Sequence, residues 1–390
     1  MKAYAGPLTA MVVLQIAGSI MLFAVAVLAP ELAPDLGIDA TQIGFYSSLV
    51  FLGAAVGSLF SPAPIRRFGP IRTSQLGILI ASTALLLPVS GSWLIALASG
   101  VAVGVGYGPF TPASTQILTA VTEERDRPFV LAVKQSGAPF GVMLGGALLP
   151  SIAVRFGWFA ALLSVTGFAL LCAVIVQPLR RSTDFRDLGD AGDGMPFALS
   201  LLKNDERLRK LTIASFLFAG VQMCSFTFLV IDLVDRIGMD YRLAGLALSI
   251  VQAGGVLSRL LWGYLSERLI PGRHLLLGIA GFGAVAMLGL AAMEPGWSFA
   301  AVAGIAALSG VTIAGWNGIF IAEVVRVVPR DQLATAVGTT VCFVYSGLVV
   351  GPAAFSAVAE GTGSMPIAYT GLAIAAAASG VLILLSNRPR

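Results

Sequence analysis

The sequence predicts an all-α membrane protein of twelve transmembrane helices in two pseudo-symmetric six-helix halves, and three observations carry that prediction. Apolar residues make up 57% of the 390, charged residues only 11%, and the mean hydropathy is +0.90. A soluble domain is instead about half apolar and about a quarter charged. Apolar runs of spanning length recur along nearly the whole chain with short polar breaks between them, and about 20 such residues cross roughly 30 Å of hydrocarbon. One long hydrophilic stretch, residues 179–210, divides these runs six and six. The 45 glycines agree with this reading, because small residues let helices approach closely in lipid.

Pro, Gly and charge breaks place the spans near 8–33, 42–63, 73–91, 93–119, 128–153, 157–178, 211–235, 243–265, 274–293, 297–322, 332–358 and 365–386. The first run, from about Leu8 to Ala33, exceeds the roughly 7–15 apolar residues of a secretion signal, so it is expected to be an uncleaved first helix. With the N-terminus in the cytoplasm, nineteen basic residues fall in cytoplasmic segments and only Arg155, Arg236 and Arg242 on the other side. That asymmetry predicts a multi-pass protein of the cytoplasmic (inner) membrane with both termini inside. The expected domains are an N-terminal half, 1–178, a cytoplasmic linker, 179–210, and a C-terminal half, 211–390.

Equal halves suggest duplication, and echoes occur about 200 residues apart. Arg67, Pro70 and Arg72 match Arg268, Pro271 and Arg273; Arg125, Asp126 and Gly146 match Arg330, Asp331 and Gly351; Gln15 in span 1 echoes Gln222 in span 7.

Several function classes are excluded by what the chain offers. Cys172, Cys224 and Cys342 each sit alone in an apolar run and read as small core residues, with no metal or disulfide spacing. His274 is the sole histidine, at a loop edge, and no Ser or Cys has a nearby base to activate it, so neither enzyme chemistry, a metal nor a cofactor is expected. Gly104, Gly106 and Gly108 lie inside an apolar span with no preceding strand, which argues for packing, or a flexible point beside Pro109 and Pro112, rather than for a nucleotide. Basic residues are scattered over loops, so no nucleic-acid partner is expected.

Charge inside a span is costly and usually faces a cavity or a partner. Lys134 in span 5 and Arg259 in span 8 are the two basic residues so placed, and no acidic residue plainly lies between them. Two such cations suit a small anionic ligand, best a carboxylate: Arg binds it two-pronged and Lys as a point charge. Polar lining is expected from Gln15, Tyr107, Thr111, Gln222, Gln252, Trp316, Asn317 and Tyr345. Acidic residues gather near helix ends, as Glu31, Asp35, Asp232, Asp235 and Glu323 do. Proton symport and facilitated exchange both stay open as the mode of coupling. A carrier of the same fold that exports hydrophobic or cationic compounds is the alternative, although it would normally want a cavity carboxylate.

Gly263-Tyr264-Leu265-Ser266-Glu267-Arg268, with Arg273 beyond it, joins spans 8 and 9. This segment resembles the loop signature of the major facilitator superfamily, and the resemblance covers the whole chain. The counterpart loop, Arg66-Arg67-Phe68-Gly69-Pro70-Ile71-Arg72, departs from the pattern by carrying Arg66 where the family usually has Asp. Gly137-Ala138-Pro139-Phe140-Gly141 with Gly145-Gly146 is similar to the family's fifth helix. The family's usual span-4 Arg is absent, Gly100 standing near its place. The resemblance implies an alternating-access carrier with its site near mid-membrane between the halves. It also implies a conformational latch in which Glu267, Arg268, Arg273, Glu323, Arg67 and Arg72 take part. The Arg259-x-x-x-Gly263 spacing is similar to that of the organic-anion branches, monocarboxylate, oxalate or cyanate-permease-like, in which the span-8 Arg meets a carboxylate.

Overall fold

The computed structural model describes residues 4–123, 127–180, 202–327 and 333–386. Among the described residues there is no strand, and twelve helical stretches are long and apolar enough to cross a membrane. They are Ala5–Leu32, Ala40–Ser58, Pro70–Ser90, Trp93–Leu118, Val133–Phe156, Trp158–Leu179, Glu206–Asp235, Tyr241–Ser266, Gly272–Ala291, Phe299–Val324, Thr340–Thr362 and Met365–Leu385, spans 1 to 12 below. In lipid the backbone must satisfy its own polar groups, which leaves helices as the form for such a chain.

Two spans read as continuous are broken. Span 4 comprises the helices Trp93–Tyr107 and Phe110–Val121, and span 10 comprises Phe299–Ile313 and Asn317–Val327. In span 4 the interruption falls at Gly108-Pro109, where proline lacks the amide hydrogen that the helix ladder needs. Span 10 has no proline at Ala314-Gly315-Trp316, and here neighbouring side chains take carbonyls at the break. Arg259 Nε donates to Ala314 O at 3.3 Å, and Trp262 Nε1 to Val311 O at 2.8 Å.

The chain divides into two compact units, Met1–Ala191 and Gly192–Arg390. Each repeats one packing pattern: the first span lies on the fifth, the second on the fourth, and the third on the fourth and sixth. Glycines set these approaches. A methyl group on Gly104 would collide with Val50 O of span 2, and one on Gly310 with Val251 O of span 8; Gly141 lies on Ile16 O and Gly347 on Phe216 O in the same way. Gly106 faces the opposite side and lies on Gly77 O of span 3. The Gly-x-Gly-x-Gly run is thus a packing seam between two neighbours, and no backbone loop is left there to hold a phosphate.

These contacts set the register of the repeat and correct two of the echoes. Gly351 corresponds to Gly145 rather than Gly146, and Gln15 corresponds to Ser215, while Gln222 lies about two turns further along its helix. Arg125, Asp126, Arg330 and Asp331 lie outside the described residues. Cysteine burial also divides: Cys172 and Cys224 are buried, whereas Cys342 is exposed and is not a core residue. Asp232, expected near the end of span 7, lies in the last turn of its helix and is fully buried, where Arg236 chelates it through Nε and Nη2 at 2.6 and 2.7 Å. The same guanidinium donates to Leu290 O at 2.9 Å and to Met293 O, which ties span 7 to the end of span 9.

Candidate functional site

In the first unit, Lys134 and three of the expected lining residues come together. Lys134 is only 1% exposed. Its ammonium donates to Gln135 Oε1 at 3.0 Å and to Thr111 Oγ1 at 3.4 Å. Among the described residues no carboxylate forms an ion pair with it. A desolvated ammonium held by neutral oxygens alone is a costly arrangement, since buried charge is stabilised mainly by an opposite charge. Thr111 opens the second helix of span 4, and Tyr107 closes the first, so the Gly108-Pro109 break stands between them. The Tyr107 hydroxyl accepts a hydrogen bond from Gln15 Nε2 at 2.5 Å. Gln15 is buried, and its Oε1 has no partner. Gly137 closes the ring: a side chain there would press on Gln15 Cβ and Val12 O, so its absence seats span 5 directly on the root of Gln15.

The second unit distributes its candidates differently. Arg259 is half-buried and holds the Ala314 carbonyl at the break in span 10. Gln252, on the same span, is buried with an unpartnered Nε2. Trp316, expected as lining, is packed in the hydrophobic core, stacked on Phe218 at 5.2 Å and edge-on to Phe320 at 5.4 Å. Asn317 and Tyr345 are half-buried and Gln222 is buried, and among the described residues no hydrogen bond joins any of them to Arg259.

At the loop ends, Glu323 pairs with Arg326 at 2.6 Å and also lies against the end of the span 8–9 loop. A Cβ on Gly272 would fall 2.6 Å from its Oε1. The carboxylate therefore sits at the N-terminus of span 9, where the helix dipole favours negative charge. Arg273 Nη2 donates to Leu384 O at 3.3 Å, beside Lys210 Nζ on Leu385 O at 3.2 Å, so both cations cap the C-terminus of span 12. Arg67 is exposed over the Phe68 ring at 5.2 Å, and Arg72 is exposed. The side chains of Glu267 and Arg268 lie outside the described residues.

Sequence reasoning missed Ser19, which is buried with an unpartnered hydroxyl one turn beyond Gln15. Its spacing of four from Gln15 was the available signal. It also missed Trp262, whose indole serves the break in span 10.

Twelve membrane-crossing helices in two repeated units, with polar groups collected at breaks in the fourth span of each, define a helical membrane carrier. The sequence model of the Major Facilitator Superfamily matches residues 10–352 and again 211–390, and the chain belongs to that family of transporters, which are not enzymes. Similar proteins include the hexuronate transporter of Bacillus subtilis (strain 168), 27% identical over 160 residues, which cover 39% of this chain and 36% of that one. The 4-hydroxybenzoate transporter PcaK of Acinetobacter baylyi is 26% identical over 154 residues, 39% of this chain and 34% of that one. A chloramphenicol resistance protein of Streptomyces lividans is 27% identical over 253 residues, 63% of each chain. The matched stretch spans about a third of the length of the first two relatives. Among solved structures, the nucleoside transporter NupG superposes with a TM-score of 0.77 at 14% identity, covering 97% of this chain and 98% of that one. A bacterial homolog of the human lysosomal transporter Spinster, inward-facing and occupied, gives 0.73 at 16%, covering 99% and 96%. At these identities the structures share the fold alone.

Proposed function

We propose that this transporter moves a small organic anion, a carboxylate, across the cytoplasmic membrane by alternating access. The observation that carries the reading is Lys134: a buried ammonium in a membrane span, bonded to Thr111 and Gln135, with no carboxylate paired to it among the described residues. An anionic ligand would supply the missing charge. Two relatives are named for hexuronate and for 4-hydroxybenzoate, both carboxylates at neutral pH, which supports the same class.

In this reading Lys134 and Arg259 meet the carboxylate, and Gln15, Tyr107, Thr111, Gln222, Gln252, Asn317 and Tyr345 supply polar contacts. Trp316 shapes its neighbourhood from the core. Glu267, Arg268, Arg273, Glu323, Arg67 and Arg72 act as a latch at the cytoplasmic ends of the helices. Both termini and residues 179–210 face the cytoplasm, as the basic-residue asymmetry requires. Modification of a cysteine placed at Gly192 by an impermeant reagent added outside intact cells would overturn that orientation. The deciding experiment is uptake of labelled carboxylates into proteoliposomes, with and without a pH gradient, beside calorimetric binding to the purified protein. Saturable carboxylate uptake is expected. Gradient dependence would assign proton symport, and gradient independence would assign exchange.

A second reading, export of hydrophobic compounds, has two observations of its own. One is the 63% overlap with the chloramphenicol resistance protein. The other is an apolar cleft of ≈ 230 Å³ in the second unit, lined by Phe216, Gly220, Gly347, Gly351, Phe355 and Leu372 among others. Chloramphenicol binding with no carboxylate binding would select it.

A further inference from the structure

We infer that the polar cluster of the first unit selects a carboxylate that also carries a hydroxyl group, with Gln15 as the residue that reads the hydroxyl. This rests on the carboxylate reading above and narrows it.

The cluster has two unfilled valences of opposite kind. Lys134 offers three ammonium hydrogens, of which Gln135 Oε1 and Thr111 Oγ1 take two, leaving a donor and a whole positive charge uncompensated. Gln15 has the opposite deficit: its amide nitrogen is used on Tyr107, and its carbonyl oxygen, in a side chain only 2% exposed, receives no hydrogen. A buried carbonyl without a donor is paid for elsewhere in the fold, and native proteins rarely keep one idle.

Both deficits belong to one constellation. Gly137 lies three residues after Lys134 on the same helix and rests on the Cβ of Gln15, so the root of the amide and the root of the ammonium are about one helical turn apart. Tyr107 and Thr111, four residues apart across the break, link the amide to the ammonium on the other side. Both partners are fixed from two sides, so the spacing between the empty acceptor and the empty donor is set by the fold.

A ligand that completes both must present an anion to Lys134 and a hydrogen-bond donor to Gln15 Oε1. An ammonium donor would meet Lys134 as a like charge in a site already short of negative charge, which disfavours amino acids. A hydroxyl meets the requirement without that repulsion. A plain carboxylate would leave Oε1 bare, and a neutral polyol would leave Lys134 bare.

The test compares affinities for matched ligands by calorimetry on the purified full chain in detergent. The ligands are benzoate with its 2-, 3- and 4-hydroxy isomers, and propionate with its 2- and 3-hydroxy and 2-amino derivatives. In the wild type, at least one hydroxylated member should bind about ten-fold more tightly than its parent, the gain of one satisfied hydrogen bond, and the amino derivative more weakly than the parent. Gln15→Met keeps the volume and removes the acceptor. It should bring the hydroxylated-to-parent ratio, both affinities being measured on the same folded variant, to within about two-fold. Carboxylate binding with no hydroxyl preference in the wild type, or a preference that survives in Gln15→Met, overturns this inference and leaves the carboxylate proposal standing. Absence of any carboxylate binding by the wild type overturns both, and because that comparison needs no variant, a folding defect in Gln15→Met cannot mask the result.

Discussion

Where the first unit places Lys134 in span 5, the second places Thr340; where the second places Arg259 in span 8, the first places Ser58. These equivalences follow from the glycine contacts common to the two units, Gly141 on Ile16 with Gly347 on Phe216, and Gly104 on Val50 with Gly310 on Val251. At the end of the first span of each unit, Leu32 and Leu36 are buried in one, while Asp232 and Arg236 form a chelated ion pair in the other. Glycine positions that set helix approach recur because the packing needs them. None of the four charges recurs, so none is demanded by the common frame. Thr340 shows the ordinary solution, a buried hydroxyl sharing a hydrogen bond with Thr212 at 3.2 Å. A charge placed where the equivalent helix manages with a small neutral side chain calls for an explanation of its own, and the ion pair has one in its partner. Lys134 does not have one within the described residues.

The largest expected effect tests the ion pair. Asp232→Leu strands Arg236 in the fold and should cost about 3–5 kcal/mol of stability, whereas Asp232→Leu with Arg236→Leu copies the first unit and should return close to wild type. Thermal unfolding in detergent of these two variants, of Arg236→Leu and of the wild type gives the double-mutant cycle. Equal losses in the single and double variants would mean that the leucine solution works only in its own surroundings.

Next in size is Lys134→Met. Truncating one partner of a buried charge pair costs about 2–5 kcal/mol, so carboxylate affinity should fall by roughly thirty-fold to several thousand-fold. Ligand-free stability should hold or rise, because an uncompensated charge is removed. A drop in ligand-free melting temperature with affinity intact would make Lys134 a structural residue. Arg259→Ala follows. Losing a charge-assisted contact of about 1.5–3 kcal/mol should weaken binding ten-fold to more than a hundred-fold, with Arg259→Lys restoring only part, since Lys lacks the planar fork. If instead Arg259 serves only the Ala314 carbonyl, stability will change and affinity will not.

The smallest effect addresses the common frame. Gly104→Ala and Gly310→Ala push a methyl into a facing backbone, and overpacking of this kind costs about 1–3 kcal/mol at each site. Gly278→Ala, with nothing within 4 Å of its Cβ position, should be neutral or gain up to about 1 kcal/mol. Losses that differ greatly between Gly104 and Gly310 would break the equivalence of the halves.

Most of the fold was legible in the sequence because lipid is a one-dimensional constraint: apolar length decides whether a segment can span, and each of the twelve runs forms a helix long and apolar enough to do so. The carrier class came with the family resemblance, while charges inside apolar runs marked the candidate site. Lys134 and Arg259 stand out in the sequence as such exceptions. What composition could not supply was the partner of each polar group. Whether a tryptophan lines a site or fills a core depends on which helix face it occupies after packing, so Trp316 and Phe218 could not be paired from spacing. Likewise, Asp232 read only as one of the carboxylates near helix ends, and its burial was not local information, because its partner Arg236 is held from span 9 by the Leu290 and Met293 carbonyls. The break in span 10, with no proline to announce it, exists because Arg259 and Trp262 on another helix offer donors to the freed carbonyls, and only tertiary structure brings those donors within reach.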